Sequence, residues 1–595
     1  MPFLDDFKPS KAHASSFFPN GPGPLTSVHG GARARDRPRD DNGPFVAADI
    51  VHSPLARRLQ ARHLQMIAFG GSVGTGLFIL TGRALATGGP ASLLLAFAVV
   101  GVNMYCTCHA LGELAVLFPI AGSFSSWATR FLDPSWGFAL GWNYALQWLI
   151  SLPVQMVAAS ELVGFWNKSL PRAIFVTPFF ALIVTLNMFG IKTYGEAECV
   201  FAVIKITAVI GFILFGIILN CAGTPDRGYI GFEYWRDPGA FTNGFKGFCS
   251  VLLSAAFAFS GTELIGLAAA ETANPRKSMP MAVKQVFWRI ALFYLSVVLL
   301  IGILIPHTDK RLLYGETINI ASNPRPPSAT PLTTTTTTNN NNNHDEATDT
   351  NASPLVIAFQ AAGLQVFPSL VNAVILIAVL SVGNSAVFGS SRTLAALATL
   401  RLAPRSLAYI DRKGRPLVAI ATAASVGLLG YLAELPQRDR ILDWLTSIGG
   451  LSGVFTWATI CACHIQFRRA WAAHGRPDHH LPYRSALGVN ASLLGLFLTL
   501  ATITAHVWVA LFPVDYLALP RGDRLKNAIL KLTGVVAVAV CYLGHKLVYR
   551  TRYIPADKVD VDTGRREYNA HWLHVREAEE REVWPLWKKL YKFLC

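Results

Sequence analysis

The chain has 595 residues, of which 52% are hydrophobic and only 15% charged. Soluble domains carry roughly 25% charged residues, so the composition argues against one or more soluble domains and for a chain lying largely in lipid. The net charge of +16 does not point to nucleic acid, because Arg and Lys sit in the tails and between apolar runs and form no sustained basic face.

Residues 1–57 read as a disordered cytoplasmic tail, polar and rich in Gly, Pro and Arg, with neither helical period nor secretory signal pattern. Apolar runs of roughly 18 to 25 residues then recur, each long enough to cross about 30 Å of hydrocarbon. Twelve are expected, centred near Val73, Val99, Ser151, Leu182, Val209, Phe257, Val297, Leu380, Gly427, Thr456, Thr499 and Val536, the third and eighth being the longest. They predict an all-α integral membrane domain over 58–549, followed by a tail over 550–595. Arg276, Lys277, Lys284 and Arg289 follow run 6, Arg401, Arg405, Arg412, Lys413 and Arg415 follow run 8, and Arg468, Arg469, Arg476 and Arg484 follow run 10. These loops share a side with both basic tails, and the excess of positive charge places that side, and both termini, in the cytoplasm.

On the opposite side, an insert at about 322–352 carries six threonines and five asparagines in succession (Thr333 to Asn343). It has no apolar surface to bury and reads as disordered. Asn167 and Asn351 begin outward glycosylation patterns, whereas Asn490 begins one facing inward. The nine cysteines form no paired framework or metal spacing and read as small core residues. No metal, cofactor or nucleotide-binding loop is expected.

Span 1 reads Gly70-Gly-Ser-Val-Gly-Thr-Gly76, four glycines in seven residues at mid-membrane. Span 6 reads Phe257-Ala-Phe-Ser-Gly-Thr-Glu263, again polar and interrupted by glycine. Breaks in lipid are costly because freed backbone groups find no water. Paired breaks in corresponding spans of two five-helix halves mark a substrate site at the membrane midplane. Freed N–H groups attract a carboxylate and freed carbonyls accept from an ammonium, which suits a zwitterion. For span 1 the pattern alone equally allows a close-packing face of Gly70 and Gly74.

Ionisable groups inside spans each require a role. Lys205 in span 5 is either a proton-coupling group or a lysine reaching back to the inner surface. Glu263 carries a proton, contacts a substrate amine, or holds the geometry of the break. Glu271, just before Asn274-Pro275-Arg276-Lys277, and Glu113, ending span 2, read as gate or structural charges. Asn384 and Ser385 in span 8 are positioned to hydrogen-bond across helices.

The stretches Arg62 to Phe78 (RHLQMIAFGGSVGTGLF), Ala110 to Ala115 (ALGELA), Phe257 to Pro280 (FAFSGTELIGLAAAETANPRKSMP), Ser381 to Ala398 (SVGNSAVFGSSRTLAALA), Asp411 to Ile420 (DRKGRPLVAI) and Val559 to Asn569 (VDVDTGRREYN) together resemble the fungal amino-acid permeases of the amino acid–polyamine–organocation superfamily. The resemblance covers about 55–595. It implies a leucine-transporter-type fold, an inverted five-helix repeat plus two further helices, and proton-coupled import of amino acids across the plasma membrane. It further implies that Gly74, Thr75 and Gly76 donate to the substrate carboxylate and Ser72 offers its carbonyl to the ammonium. Phe257, Phe259 and Ser260 would line the pocket, Phe257 as an aromatic gate. Lys205 would stand where sodium-coupled relatives bind a cation.

Many relatives carry a glutamate where this chain has Gln155, in Leu152-Pro-Val-Gln. Gln155 hydrogen-bonds but cannot titrate, which favours neutral or broad specificity over cationic substrates. The terminal Cys595 resembles a palmitoylated position and lies beside Lys588, Lys589 and Lys592, a two-signal anchor. Lys8 and Lys11 are candidate ubiquitin acceptors. The expected partners are an amino acid, a proton and the lipid bilayer, with no nucleic acid and no enzymatic activity. The alternatives are a sensor that signals without transport, and an exchanger or polyamine carrier on the same fold.

Overall fold

The computed structural model describes residues 55–565, apart from 168, 224–227, 314–352, 364–365, 435–437, 486, 515 and 517–519, together with residue 585. The expectations for Lys8, Lys11, the threonine–asparagine insert, Asn351 and Cys595 lie outside the described residues. In chain order the principal helices are α1 (Ala61–Gly70), α2 (Thr75–Phe78), α3 (Leu80–Leu117), α4 (Ser123–Phe131), α5 (Pro134–Val163), α6 (Ala173–Met188), α7 (Ile191–Ala222), α8 (Gly244–Phe259) and α9 (Leu264–Ala269). There follow α10 (Pro275–Arg289), α11 (Ser296–Leu304), α12 (Pro354–Ala361), α13 (Phe367–Thr399), α14 (Leu417–Gly427), α15 (Arg438–Ala473), α16 (Gly488–Leu511) and α17 (Arg521–Tyr549). Among the described residues there is no strand, only an isolated bridge between Leu59 and Thr272.

Among the described residues, seven segments are long and apolar enough to cross a membrane: α3, α5, α7, the α8–α9 run, α13, α16 and most of α17. Ala173–Met188, Leu292–Leu304 and Leu417–Leu432 are shorter apolar helices. Burial differs sharply among them. The apolar window of α8–α9 is 78% buried and that of α17 only 22%, so the broken run lies at the centre and α17 at the rim. Leu214 and Ile218 of α7, Phe497 of α16 and Val540 and Leu547 of α17 face outward, an apolar surface suited to lipid rather than water.

Local sequence explains the bends. Gly89 takes a φ of 80° inside α3, and Pro90 after it has no N–H to continue the ladder. The carbonyl freed at Gly88 accepts from Thr242 N at 2.9 Å, and Ala91 N donates to Ala240 O at 2.9 Å. Between α10 and α11 the helix widens to a π form over Ile290–Leu295, where Tyr294 reaches across to donate to Ala258 O at 3.1 Å. The expectation that the third and eighth runs are longest is corrected. Helices α5 and α13 have 30 and 33 residues, but α3 has 38 and α15 has 36. The first of these joins two pieces across the Gly89 kink, and the second extends its apolar run with charged turns at both ends.

After α17 the chain reverses at Arg550 (φ 48°) and runs back against the helix ends. Ile554 N donates to Leu132 O at 2.9 Å, Gln466 Nε2 donates to Ile554 O at 2.9 Å, and Val559 and Val561 are each 1% exposed. Arg130 of α4 donates to the carbonyls of Asp560 and Thr563 at 2.5 and 2.6 Å. Arg476 donates to the Asp562 carboxylate at 2.6 Å.

Candidate functional site

The glycines of span 1 interrupt the helix. Helix α1 ends at Gly70 and α2 begins at Thr75, with Gly74 extended at φ −167°. In span 6, α8 ends at Phe259, Ser260 is extended (ψ 141°) and Gly261 takes φ +98°. The two breaks meet. A Cβ on Gly261 would lie 2.2 Å from Gly71 O, and one on Gly76 would lie 2.4 Å from Ala258 Cα. Only residues without side chains allow the backbones this close.

Beside the meeting point lies a cleft lined by Ser72, Thr75 and Gly76 from span 1, Gln147 from α5, and Phe257 and Ser260 from span 6, among others. Its cavity volume is about 30 Å³. That leaves room for ordered water but demands some opening before a larger solute fits. The remaining residues expected at the substrate are close to the cleft but off its wall. Gly74 packs on Val382, and Phe259 stacks on Tyr294 with centroids 4.3 Å apart. Gln155, 0% exposed, supports the wall from behind, its Nε2 donating to Thr75 Oγ1 at 3.4 Å.

Gln147 escaped the sequence reading. Its Nε2 donates to Ser260 Oγ at 2.7 Å, while its Oε1 is buried without a hydrogen-bond partner among the described residues. The signal was present: Gln147, Ser151 and Val154 fall at helical spacing, so one face of α5 carries two polar groups towards the cleft. Glu263 is fully buried and bound to the break itself. Both its oxygens accept from Gly261 N at 3.1 Å, and Trp457 Nε1 donates to it at 3.2 Å.

Lys205 does not reach for the surface. It is 0% exposed, and its Nζ donates to Gly70 O at 2.7 Å and Ser381 Oγ at 2.9 Å. Ser381 in turn donates to Glu198 Oε2 at 2.8 Å. Asn384 and Ser385 bond across helices as expected, donating to Glu198 Oε1 at 2.7 and 3.4 Å. Glu198 was also missed. Seven residues before Lys205, it lies two turns away on the same helix face, a spacing that links a buried acid to a buried base.

The two remaining acids are paired with cations. Glu271 accepts from Arg392 Nε at 3.1 Å, and Arg392 lies over the Phe388 ring at 4.6 Å. Glu113 faces His464 Nε2 at 3.1 Å and Arg468 Nε at 3.4 Å, and accepts from Ser485 N at 3.0 Å. His63, Glu196 and Cys199 also cluster. However, His63 Nδ1 accepts from Gln60 N at 3.3 Å, so Nε2 carries the proton that faces Glu196 and has no lone pair for a metal. Asn167, exposed, closes a turn by accepting from Ser169 N at 2.9 Å.

A bundle of long apolar helices around two touching helix breaks, with a cleft beside them that carries a few polar groups, defines a multi-pass membrane protein. The sequence profile of the amino acid permease family matches residues 63–555. The general amino-acid permease GAP1 of Saccharomyces cerevisiae is 46% identical over 561 residues, covering 92% of this chain and 87% of its own. The general amino-acid permease GAP2 of Candida albicans is 46% identical over 556 residues, covering 92% of this chain and 89% of its own. The S-adenosylmethionine permease GAP4 of Candida albicans is 43% identical, covering 92% of this chain and 85% of its own. The chain belongs to the amino acid permease family, and its relatives are transporters, not enzymes.

Proposed function

We propose that this chain imports amino acids of neutral or broad type by proton symport across the plasma membrane, with both termini cytoplasmic. The observation that carries the reading is the contact of two glycine-broken helices beside a cleft that presents Ser72, Thr75, Gln147 and Ser260, with Gly261 against Gly71 O. Twelve crossings follow if Gly89 divides α3 and if α6, α10–α11, α14 and α15 also span; 58–549 is then the transporter domain. The breaks then fall in the first and sixth crossings, as an inverted five-helix repeat requires.

The substrate carboxylate would take the N–H groups of Gly74, Thr75 and Gly76 and the Thr75 hydroxyl. The ammonium would take the Ser72 carbonyl and the carbonyls freed near Ser260, with Phe257 as the lid. Gln155 and Gln147 are polar but uncharged, which supports a substrate whose side chain carries no net charge. The general permeases among the relatives support breadth, while the S-adenosylmethionine permease at similar identity makes the substrate a matter for direct test.

Lys205 is the favoured coupling group, because a charged donor on the Gly70 carbonyl ties proton occupancy to the end of α1. Substrate binding and proton loading at adjacent breaks would together permit the helices to move and alternate access. The deciding experiment is labelled uptake in permease-deficient cells, with each standard amino acid as competitor, at acidic and neutral external pH. Competition by many neutral amino acids, stronger uptake at acid pH and its loss with a protonophore are expected. Binding without accumulation would make the protein a sensor, and counterflow indifferent to pH would make it an exchanger; either result rejects the proposal.

A further inference from the structure

We propose that Glu198 is a positioning residue that sets the proton affinity of Lys205 through the Ser381 hydroxyl, so that the coupling unit is this three-residue chain and not the lysine alone. The proposal rests on the proton-symport reading above and names the group that makes it workable.

The geometry is continuous. Lys205 Nζ donates to Ser381 Oγ at 2.9 Å, and Ser381 Oγ donates to Glu198 Oε2 at 2.8 Å. Both charged residues are 0% exposed and come from one helix, α7. An ammonium buried in such a place needs a counter-charge, because a buried charge left unpaired is costly. A carboxylate across a single hydroxyl supplies that counter-charge. Asn384 and Ser385 donate to the other carboxylate oxygen at 2.7 and 3.4 Å and fix the orientation of the acid towards Ser381.

The unit also reads the helix break. Lys205 Nζ donates to Gly70 O at 2.7 Å, at the last turn of α1. A Cβ on Gly70 would lie 2.1 Å from Glu198 Oε2, so glycine there lets the carboxylate lie against the same turn. With the proton bound, the bond to Gly70 is charge-assisted; when the proton leaves Lys205 for water, a neutral amine remains and the bond weakens. Proton release thereby loosens the end of α1.

Few other charges act on the pair. On α7 itself Tyr194 bonds to Ser385 at 3.2 Å. On α1, His63 and Arg62 are held by Glu196 at 3.1 and 2.5 Å. On α13, Arg392 is bound to Glu271 at 3.1 Å. Helices α6, α11 and α12, which also pack around α7, carry no titratable side chain.

The test is the pH profile of uptake by the full chain in cells, normalised to surface abundance. Glu198→Gln removes the charge that favours protonated Lys205, so half-maximal uptake is expected to move about one unit or more towards acid pH, with the maximum approached at low pH. Ser381→Ala should move it the same way by less, and Ser381→Thr should restore the wild-type profile. An unshifted profile, or uptake lowered equally at every pH, would overturn the assignment. If Glu198→Gln leaves too little protein at the surface, the double variant Glu198→Gln/Lys205→Met removes both buried charges. Its uptake is expected to lose pH dependence, and a persisting wild-type profile would overturn the proposal. The wild type separates the two claims: no pH response in the wild type defeats the symport reading, whereas a wild-type response with an unmoved Glu198→Gln profile defeats the role of Glu198 alone.

Discussion

Gly76 is held in place by what its neighbour cannot yield. The atoms a side chain would meet are the Cα and N of Ala258, at 2.4 and 2.9 Å, and backbone cannot turn aside as a rotamer can. Gly76→Ala must therefore separate spans 1 and 6, at a cost of about 1–3 kcal/mol for overpacking. Uptake is expected to fall at least tenfold with most of the protein still at the surface, measured by labelled uptake against surface biotinylation. Normal uptake would mean that the breaks need not touch. Gln155 tests specificity. Its Nε2 donates to Thr75 Oγ1 and its Oε1 has no hydrogen-bond partner among the described residues, so Gln155→Glu places an acceptor-only group behind the cleft wall. The Thr75 hydroxyl must then turn to donate towards it, and the buried charge favours a cation nearby. Uptake of Lys or Arg relative to neutral amino acids is expected to rise several-fold; an unchanged ratio would set Gln155 apart from substrate selection.

Among the elements, the segment after α17 is a strap. Its Asp560 carboxyl would be raised by burial, but bonds from the Thr563 side chain and from the Thr563 and Asp562 amides, with the Arg130 charge, outweigh this and bring it down to about 2. A depressed carboxyl stabilises the strap fully above its unfolded value near 3.8, and that contribution is lost as pH falls towards about 2. Because Asp560 is 42% exposed, solvent screening reduces its share to roughly 1 kcal/mol. Hydrogen-exchange protection of residues 550–565 should thus be flat from neutral pH to about 4 and fall below it. Arg130→Ala should speed tryptic cleavage at Arg552 and Lys558 several-fold at neutral pH, and unchanged cleavage would show that α4 does not hold the strap. Such an element is invisible in sequence because its partners, Arg130 and Asp560, are 430 residues apart. The helix breaks were legible for the opposite reason: clustered glycines and the positive φ at Gly261 are local properties. Glu198 falls between these cases. It and Glu196 are only two residues apart, yet Glu196 is turned outward to Arg62 while Glu198 is fully buried. Only the packing of α1 and α13 around α7 determines which acid can act.

For the whole molecule, the proposed alternating access depends on contacts that tie one set of helices to another. Two buried charge clusters do this: Glu271, just beyond α9, with Arg392 on α13, and Glu113 on α3 with His464 and Arg468 on α15. In the proposed topology both lie towards the cytoplasm, and alternating access must part them. Removing one partner of such a pair leaves a buried charge and costs about 3–5 kcal/mol, whereas removing both is often nearly neutral. Arg392→Gln should therefore lower surface abundance, because Glu271 is 0% exposed, and the double variant Glu271→Gln/Arg392→Gln should restore it. The double variant lacks a tie across the inner side, so its population should shift towards the inward-open form. With Ser260→Cys added on the cleft wall, an impermeant maleimide should react from the cytoplasmic face of inverted vesicles at least fivefold faster than with Ser260→Cys alone. Apparent affinity for external substrate should weaken by a similar factor, since the outward-facing form is the one depleted. Equal labelling rates, or faster labelling only from the outer face, would show that this pair does not close the inner side.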